Sequence, residues 1–357
     1  MLLAGCTFKT NEASDAPGSN AGSDTSPDAY CIGTFVKICR ATPPPALLRI
    51  DTAGVLDTDH DPRCTVVTQA GGPDICALYY NEIQINNQLV ARGARPLALA
   101  ATTTITVGPG LVNVASSRGQ IPGAGAGTAM CVAPTPPSAL VTTGGGGGAG
   151  GSFGGQAGDG GNGGITTAAG GVAGGMIGAP SMLVGGCAGD RGGAATGDGG
   201  AGGAGGGGVY LVAGTAITVT NAVAASGAGG SGGGLNAGAG GGGAGGLIVF
   251  EAPAVSVDST SGHVIANGGG GAQGGNGVVG GGNGGDGHLT DSGVANGGFG
   301  ISTGGNGGGG ANGATGAGTG AGNTNGGGGG GGSVGYVLMI GHAPASGGEF
   351  SPMYTVR

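Results

Sequence analysis

Wherever this chain is not glycine, apolar and polar residues tend to alternate with the two-residue period of a half-buried strand. Four segments, 81–93, 103–117, 215–227 and 253–268, align with one another. Each opens on a β-branched pair one residue apart: Ile83 and Ile85, Ile105 and Val107, Ile217 and Val219, Val255 and Val257. A short polar turn follows, then a second apolar stretch ending in Ala-x-Gly or Ala-Ser-Ser. This is one supersecondary unit used several times. Helical periodicity is absent, and runs of about five strand-forming residues are broken by Asn-Asn or Gly-Pro-Gly turns. The expectation is an all-β chain, a parallel β-solenoid whose stacked coils bury each other's apolar faces. One coil would run from Ala91 to Ala115. An antiparallel β-sandwich with disordered glycine-rich loops is the competing arrangement, because short alternating strands suit both.

Composition changes the picture after residue 119. The chain has 357 residues and 101 glycines, and all but 11 of those glycines lie beyond that point. They concentrate in tracts at roughly 143–208, 227–246, 267–284 and 303–335, read as insertions that project from one side of the repeat scaffold. Glycine loses the most backbone entropy on ordering and has no side chain to bury. The tracts are therefore either disordered or ordered by backbone packing. Strict Gly-X-Y and abundant proline are lacking, which excludes collagen. The ordered alternative is side-by-side polyglycine-II segments, three residues per turn, and the apolar residues inside the tracts (Phe153, Ile165, Met176, Ile177, Val278, Phe299 and Ile301) favour packing. The domain reading is 1–6 as the remnant of a lipoprotein signal, 7–29 as a flexible polar tether, 30–119 as disulfide-braced β coils, and 120–357 as further coils interleaved with glycine-rich insertions.

Charge removes one class of partner. The net charge is −8, and between Arg118 and Arg357 the only cation is Arg191. Nucleic acid, which needs clustered cations to neutralise phosphates, is excluded. No apolar run approaches the ~20 residues that span a bilayer. The membrane is instead reached through Leu3-Ala4-Gly5-Cys6, which resembles the lipobox of bacterial lipoproteins and makes Cys6 the acylated residue. Only Met1 and Leu2 precede it, so the expectation is a start upstream of Met1 or a trimmed chain. Six cysteines remain: Cys31, Cys39, Cys64, Cys76, Cys131 and Cys187. An even number in an exported, core-poor chain reads as three disulfides in any of fifteen pairings. A Cys131–Cys187 pair would pin the first glycine tract.

Candidate chemistry is sparse. Asp57, Asp59 and Asp61 alternate in Asp57-Thr-Asp-His-Asp-Pro-Arg-Cys64, as carboxylates do in loops that close on one calcium ion. Calcium is the one cofactor the sequence offers, although an EF-hand's glycine and closing Glu are missing. Gly281-Gly-Asn-Gly-Gly-Asp286 starts like a calcium-binding nonapeptide, but His288 replaces its large apolar residue and no tandem copy follows. The glycine-rich region has no lysine, which argues against a phosphate loop. The four histidines, His60, His263, His288 and His342, are scattered. Carboxylate-based sugar cleavage needs two carboxylates on one face, and Glu82 and Asp51 are the only ones suggested. Thr102, Thr104 and Thr106 read as a solvated strand face.

Taken together, the segments 57–64, 95–100 and 144–155 resemble the glycine-rich surface lipoproteins of myxobacterial type, often labelled PE-PGRS-like. The PE-type helical N-terminus is lacking. The resemblance implies a cell-surface or outer-membrane location. The expected function is a non-enzymatic, lipid-anchored structural or adhesive scaffold presenting glycine-rich arms, with polysaccharide or further copies of the chain as partners. The alternatives are a carbohydrate-active enzyme on the same frame, which requires carboxylates converging in a groove, and a calcium-dependent adhesin.

Overall fold

The structure is a computed structural model and describes residues 30–139, 143–164, 167–345 and 347–357. Cys6, the tether and Ile165 lie outside the described residues. Twenty strands occur, and no α-helix is found among the described residues. In chain order they are β1 Tyr30–Ile32, β2 Ile38–Arg40, β3 Leu47–Ile50, β4 Gly54–Asp57, β5 Thr65–Val67, β6 Ile75–Tyr80, β7 Glu82–Ile85, β8 Leu89–Arg92, β9 Leu97–Ala101 and β10 Thr104–Val107. There follow β11 Leu111–Asn113, β12 Gly208–Ala213, β13 Ala216–Val219, β14 Ala222–Ala224, β15 Leu247–Glu251, β16 Ala254–Val257, β17 His263–Ile265, β18 Tyr336–Ile340, β19 Glu349–Ser351 and β20 Thr355–Val356.

The strands form three open sheets and one hairpin. Their orders are β16-β13-β10-β7-β3, β19-β17-β14-β11-β8-β4 and β20-β18-β15-β12-β9-β6-β5, with β1-β2 apart. The register follows the sequence repeat: Leu48, Ile83, Ile105, Ile217 and Val255 stand side by side on successive strands. Ile85, Val107, Val219 and Val257 form the next row. Both rows point into the main core, together with Leu78, Leu99, Leu211 and Phe250 from the seven-stranded sheet. Alternation sends Tyr79, Tyr210, Val249 and Leu338 to the other face of that sheet, where a second core forms with Ile38, Phe153, Leu183 and Cys187. The three disulfides are Cys31–Cys39 across the hairpin, Cys64–Cys76 joining the edge of the seven-stranded sheet, and Cys131–Cys187.

The parallel β-solenoid with projecting insertions is corrected by this arrangement, and so is the sandwich. The chain is all-β, but its sheets are separate, unclosed units of five, six and seven strands, and the largest is mixed because β5 runs antiparallel to β6. The succession of strands is broken after β11, β14 and β17, where residues 114–207, 225–246 and 266–335 leave the sheets. The physical reason is compositional. Glycine has no side chains with which to fill a coil interior, so these residues pack against each other's backbones instead of continuing the coil.

That packing is ordered. Segment 236–247 lies among six others and exchanges backbone hydrogen bonds with each at a three-residue period. The amides of Gly238, Gly241 and Ala244 donate to Gly193, Asp190 and Cys187; those of Gly240 and Gly243 donate to Ser231 and Ala228; those of Ala239, Gly242 and Gly245 donate to Gly327, Gly330 and Ser333. Its carbonyls accept from Gly145, Gly148 and Gly151, from Gly200, Gly203 and Gly206, and from Gly269, Ala272 and Gly275. A backbone with three residues per turn points successive amides in three directions, and here each direction meets a neighbour. Segments 225–235 and 266–276 are the outward continuations of β14 and β17, while 198–207, 236–246 and 325–335 lead into β12, β15 and β18. The sheets thus set the spacing at which the glycine segments enter the bundle.

Close approach is what excludes side chains there. A Cβ on Gly241 would lie 2.0 Å from the carbonyl oxygen of Ala149, and one on Gly243 would lie 2.0 Å from that of Ala204. At the periphery the demand lapses: a Cβ on Gly155 meets nothing nearer than 3.6 Å. Of the apolar residues scattered through the tracts, Phe153 is buried, whereas Met176, Val278, Phe299 and Ile301 are exposed. Gly241→Ala is expected to destabilise the fold by more than about 3 kcal/mol, beyond the usual range for overpacking because the obstacle is backbone. Gly155→Ala should be neutral or stabilising by up to about 1 kcal/mol through loss of unfolded-state freedom. Denaturant unfolding of the two variants checks both signs.

Candidate functional site

Asp57 ends β4 and Asp59 and Asp61 follow it directly, yet each carboxylate is turned to a different partner. Asp57 accepts from the Asp59 amide and pairs with His60 Nδ1, both at 2.9 Å. Asp59 accepts from the Ala94 amide at 2.8 Å. Asp61 holds Arg63 through Nε at 2.9 Å and through the terminal nitrogen at 2.7 Å. His60 beside Asp57 and Arg63 beside Asp61 hold both carboxyls below the usual carboxylate range. Among the described residues, no group of three or more His, Cys, Asp or Glu is placed to hold a metal ion. Asp286 of the nonapeptide-like stretch accepts instead from the amides of Arg118 and Gly229.

The carboxylates suggested for sugar cleavage do not converge either. Asp51 accepts from Arg49 and Asn86, and Glu82 accepts from Gln84. A cleft of about 360 Å³ contains a single carboxylate. It lies between the β1–β2 hairpin and the seven-stranded sheet, and Glu251 and His342 line it together with Ile32, Val212, Pro253 and Ile340. Glu251 accepts from the amides of Thr34 and Phe35 at 2.8 and 3.1 Å and from the Tyr210 hydroxyl at 2.5 Å. Burial, and secondly this bond, push the Tyr210 hydroxyl far above the ordinary phenol range. Phe35 packs on the Tyr210 ring, with centroids 5.7 Å apart. In this geometry Glu251 is an anchor that docks the hairpin on the sheet.

Two histidine–carboxylate pairs, one of them between residues far apart in sequence, lie on the outer side of the six-stranded sheet. His263 on β17 and Glu349 on β19 are register partners, and His263 Nδ1 lies 2.7 Å from Glu349 Oε2. The other Glu349 oxygen accepts from the Ser292 amide at 3.0 Å. Nearby, His288 Nδ1 lies 2.6 Å from Asp291 Oδ1, and the Ser226 hydroxyl donates to the His288 carbonyl. Ser292, and then His263, hold Glu349 below its usual range, and His288 does the same for Asp291. The arrangement fastens the crossing segment 286–293 to the sheet. It also leaves two imidazoles oriented by carboxylates, a pairing capable of proton transfer.

Among the described residues, one buried side-chain oxygen has no hydrogen-bond partner. Asp190 Oδ2 accepts no hydrogen bond from the protein, while Oδ1 accepts from the Arg191 amide. Burial raises the Asp190 carboxyl above the carboxylate range.

Compared with protein-family models, with curated proteins and with solved structures, the chain matches none of them.

These groups make opposite pH predictions. The depressed carboxyl of Glu349 contributes stability above the unfolded glutamate value of about 4.3, and that contribution is lost as pH falls through the lower folded value. Protection of the Ser292 amide against hydrogen exchange should therefore fall below about pH 4, and Glu349→Gln should lower it already at neutral pH by about 1 kcal/mol. Asp190 runs the other way: its ionised form is disfavoured in the fold, so its cost is present at neutral pH and disappears as the carboxyl takes up a proton. Asp190→Asn is expected to stabilise the protein at pH 7 by on the order of 1 kcal/mol. The gain should vanish in acid, as thermal unfolding at pH 7 and pH 3 would register.

Proposed function

We propose that this protein is a non-enzymatic structural and adhesive scaffold of the cell surface, held by a lipid on Cys6, in which the glycine tracts serve as one rigid body and not as loose arms. The observation that carries the reading is the mutual hydrogen bonding of those tracts. A bundle whose interior amides and carbonyls satisfy one another, as those of 236–247 do, is stiff, poor in side chains and nearly uncharged. It offers a durable surface with little to titrate or oxidise. The three disulfides suit an oxidising, extracytoplasmic setting. Among the described residues there is no helix long and apolar enough to cross a membrane. The likeness of segments 57–64, 95–100 and 144–155 to glycine-rich surface lipoproteins points the same way.

Two measurements test the reading. Amide exchange on the disulfide-intact protein should show protection lasting minutes or longer across 143–208 and 303–335; exchange at random-coil rates would remove the rigid body. Cys6→Ser, expressed with a full export signal, should release the protein from the membrane fraction, and unchanged fractionation would remove the lipid anchor.

A further inference from the structure

Among the described phenylalanines, Phe153 and Phe250 are buried, and Phe35 and Phe350 pack on Tyr210 and Tyr354. Phe299 is different. It is 67% exposed on the flank of the glycine body, with Ile301 beside it at 62%. In a chain with 3% aromatic residues, a solvent-facing ring that fills no core is unusual, since its burial elsewhere would be favourable by about 2 kcal/mol.

Both residues line a groove of about 340 Å³ together with residues 282–285. Ile301 lies over Gly282: a Cβ on that glycine would come within 3.3 Å of the Ile301 side chain. Arg118, Asn283 and Asn296 complete the lining together with Gly297 and Gly298. Arg118 is held in place by donating to the Gly284 carbonyl at 2.6 Å, which engages one of its five N–H groups. Asn283 Oδ1 accepts from the Gly232 amide at 3.0 Å, leaving its NH₂ to donate.

We propose that this groove binds a saccharide unit of a surface or matrix polysaccharide. A pyranose has an apolar C–H face and a rim of hydroxyls. The C–H face matches the Phe299 ring, whose electron-rich face attracts C–H groups. The hydroxyl rim matches Asn296, Asn283 and Arg118, which together supply donors and an acceptor. The notch lies at the lower end of the ~300–1,000 Å³ of small-molecule sites. It suits a sugar ring better than a protein surface, which needs about 800 Å² per partner. A neutral sugar and a uronate share this chemistry. Arg118 would favour the uronate through a charge-assisted bond, against a net protein charge of −8. The inference rests on the surface-scaffold reading and gives that scaffold's adhesive role a chemical class of partner.

The test is titration of the disulfide-intact protein, by saturation-transfer NMR and calorimetry, with two panels of oligosaccharides, one neutral and one containing uronic acids. Binding by the wild type, with at least a tenfold loss in Phe299→Ala and a smaller loss in Asn296→Ala at unchanged melting temperature, is the expected result. Loss of uronate binding alone in Arg118→Gln would assign the acidic sugar; equal loss of both would assign the shared hydroxyl contacts. Failure of both panels to bind the wild type, or undiminished binding by Phe299→Ala, overturns the site. Unchanged membrane fractionation of Cys6→Ser would count against the anchor only, since the groove is assayed on purified protein.

Discussion

Everything in this molecule depends on the pairing of backbone amides in a chain that has few side chains to pair them with. A buried amide or carbonyl without a partner costs free energy on the scale of a lost hydrogen bond, and glycine adds the largest loss of conformational freedom. A loose collapse of these tracts would incur both costs with little apolar burial to offset them. The arrangement around 236–247 avoids the first by giving every amide from Gly238 to Gly246 an acceptor on a neighbouring segment. It also explains the composition. A neighbour close enough to pair is close enough to exclude a Cβ, so the same contacts that satisfy the backbone demand glycine along most of each segment. Alanine is admitted where the Cβ finds room, as at the fully buried Ala239 and Ala244.

A bundle of this kind has no side-chain code to define which segment lies beside which. The sheets supply it. Strands β12, β15 and β18 are parallel neighbours, and the segments that lead into them keep that adjacency: Gly206 donates to Ala244, and Gly245 donates to Ser333. On the other side, β14 and β17 are neighbours, and so are their continuations, through Gly227 to Asn267 and Gly230 to Gly270. Ordinary apolar packing of Ile, Val and Leu between the sheets therefore specifies the register, and the glycine segments inherit it. Cys131–Cys187 extends the same control, because Cys187 lies in the second core and its carbonyl accepts from Ala244 within the bundle.

This division sets what could be read from the sequence. The β-branched pairs at 83/85, 105/107, 217/219 and 255/257 were legible because a period of two on one face is what in-register strands require, and the structure sets them side by side. The pairing of six cysteines was not, since it depends on which strands meet. The solenoid failed as an expectation because periodicity describes strands only where there are side chains to carry it. In the tracts it is silent, and the three-residue period there belongs to hydrogen bonds. His263 and Glu349 were invisible for a related reason: they are 86 residues apart and are joined only by the β17–β19 register. Asp57, Asp59 and Asp61 show the reverse case, a local pattern suggesting convergence that Ala94, His60 and Arg63 divert.

A surface made largely of backbone has a further consequence for recognition. Most of its area presents the same amides and carbonyls, so specificity has to come from the few side chains that interrupt it. Those interruptions are not placed at random with respect to packing. Phe153 and Leu183 turn inward to the second core, where they tie the bundle to the seven-stranded sheet. Phe299 and Ile301 turn outward beside Arg118 and Asn296, where no core needs them. An exposed apolar pair is costly to a fold that has so little apolar surface to spend, and its position beside fixed planar donors is what a small amphipathic ligand requires. The rigidity of the glycine lining then matters as much as the side chains, because a groove already ordered by its own hydrogen bonds loses little entropy when it is filled.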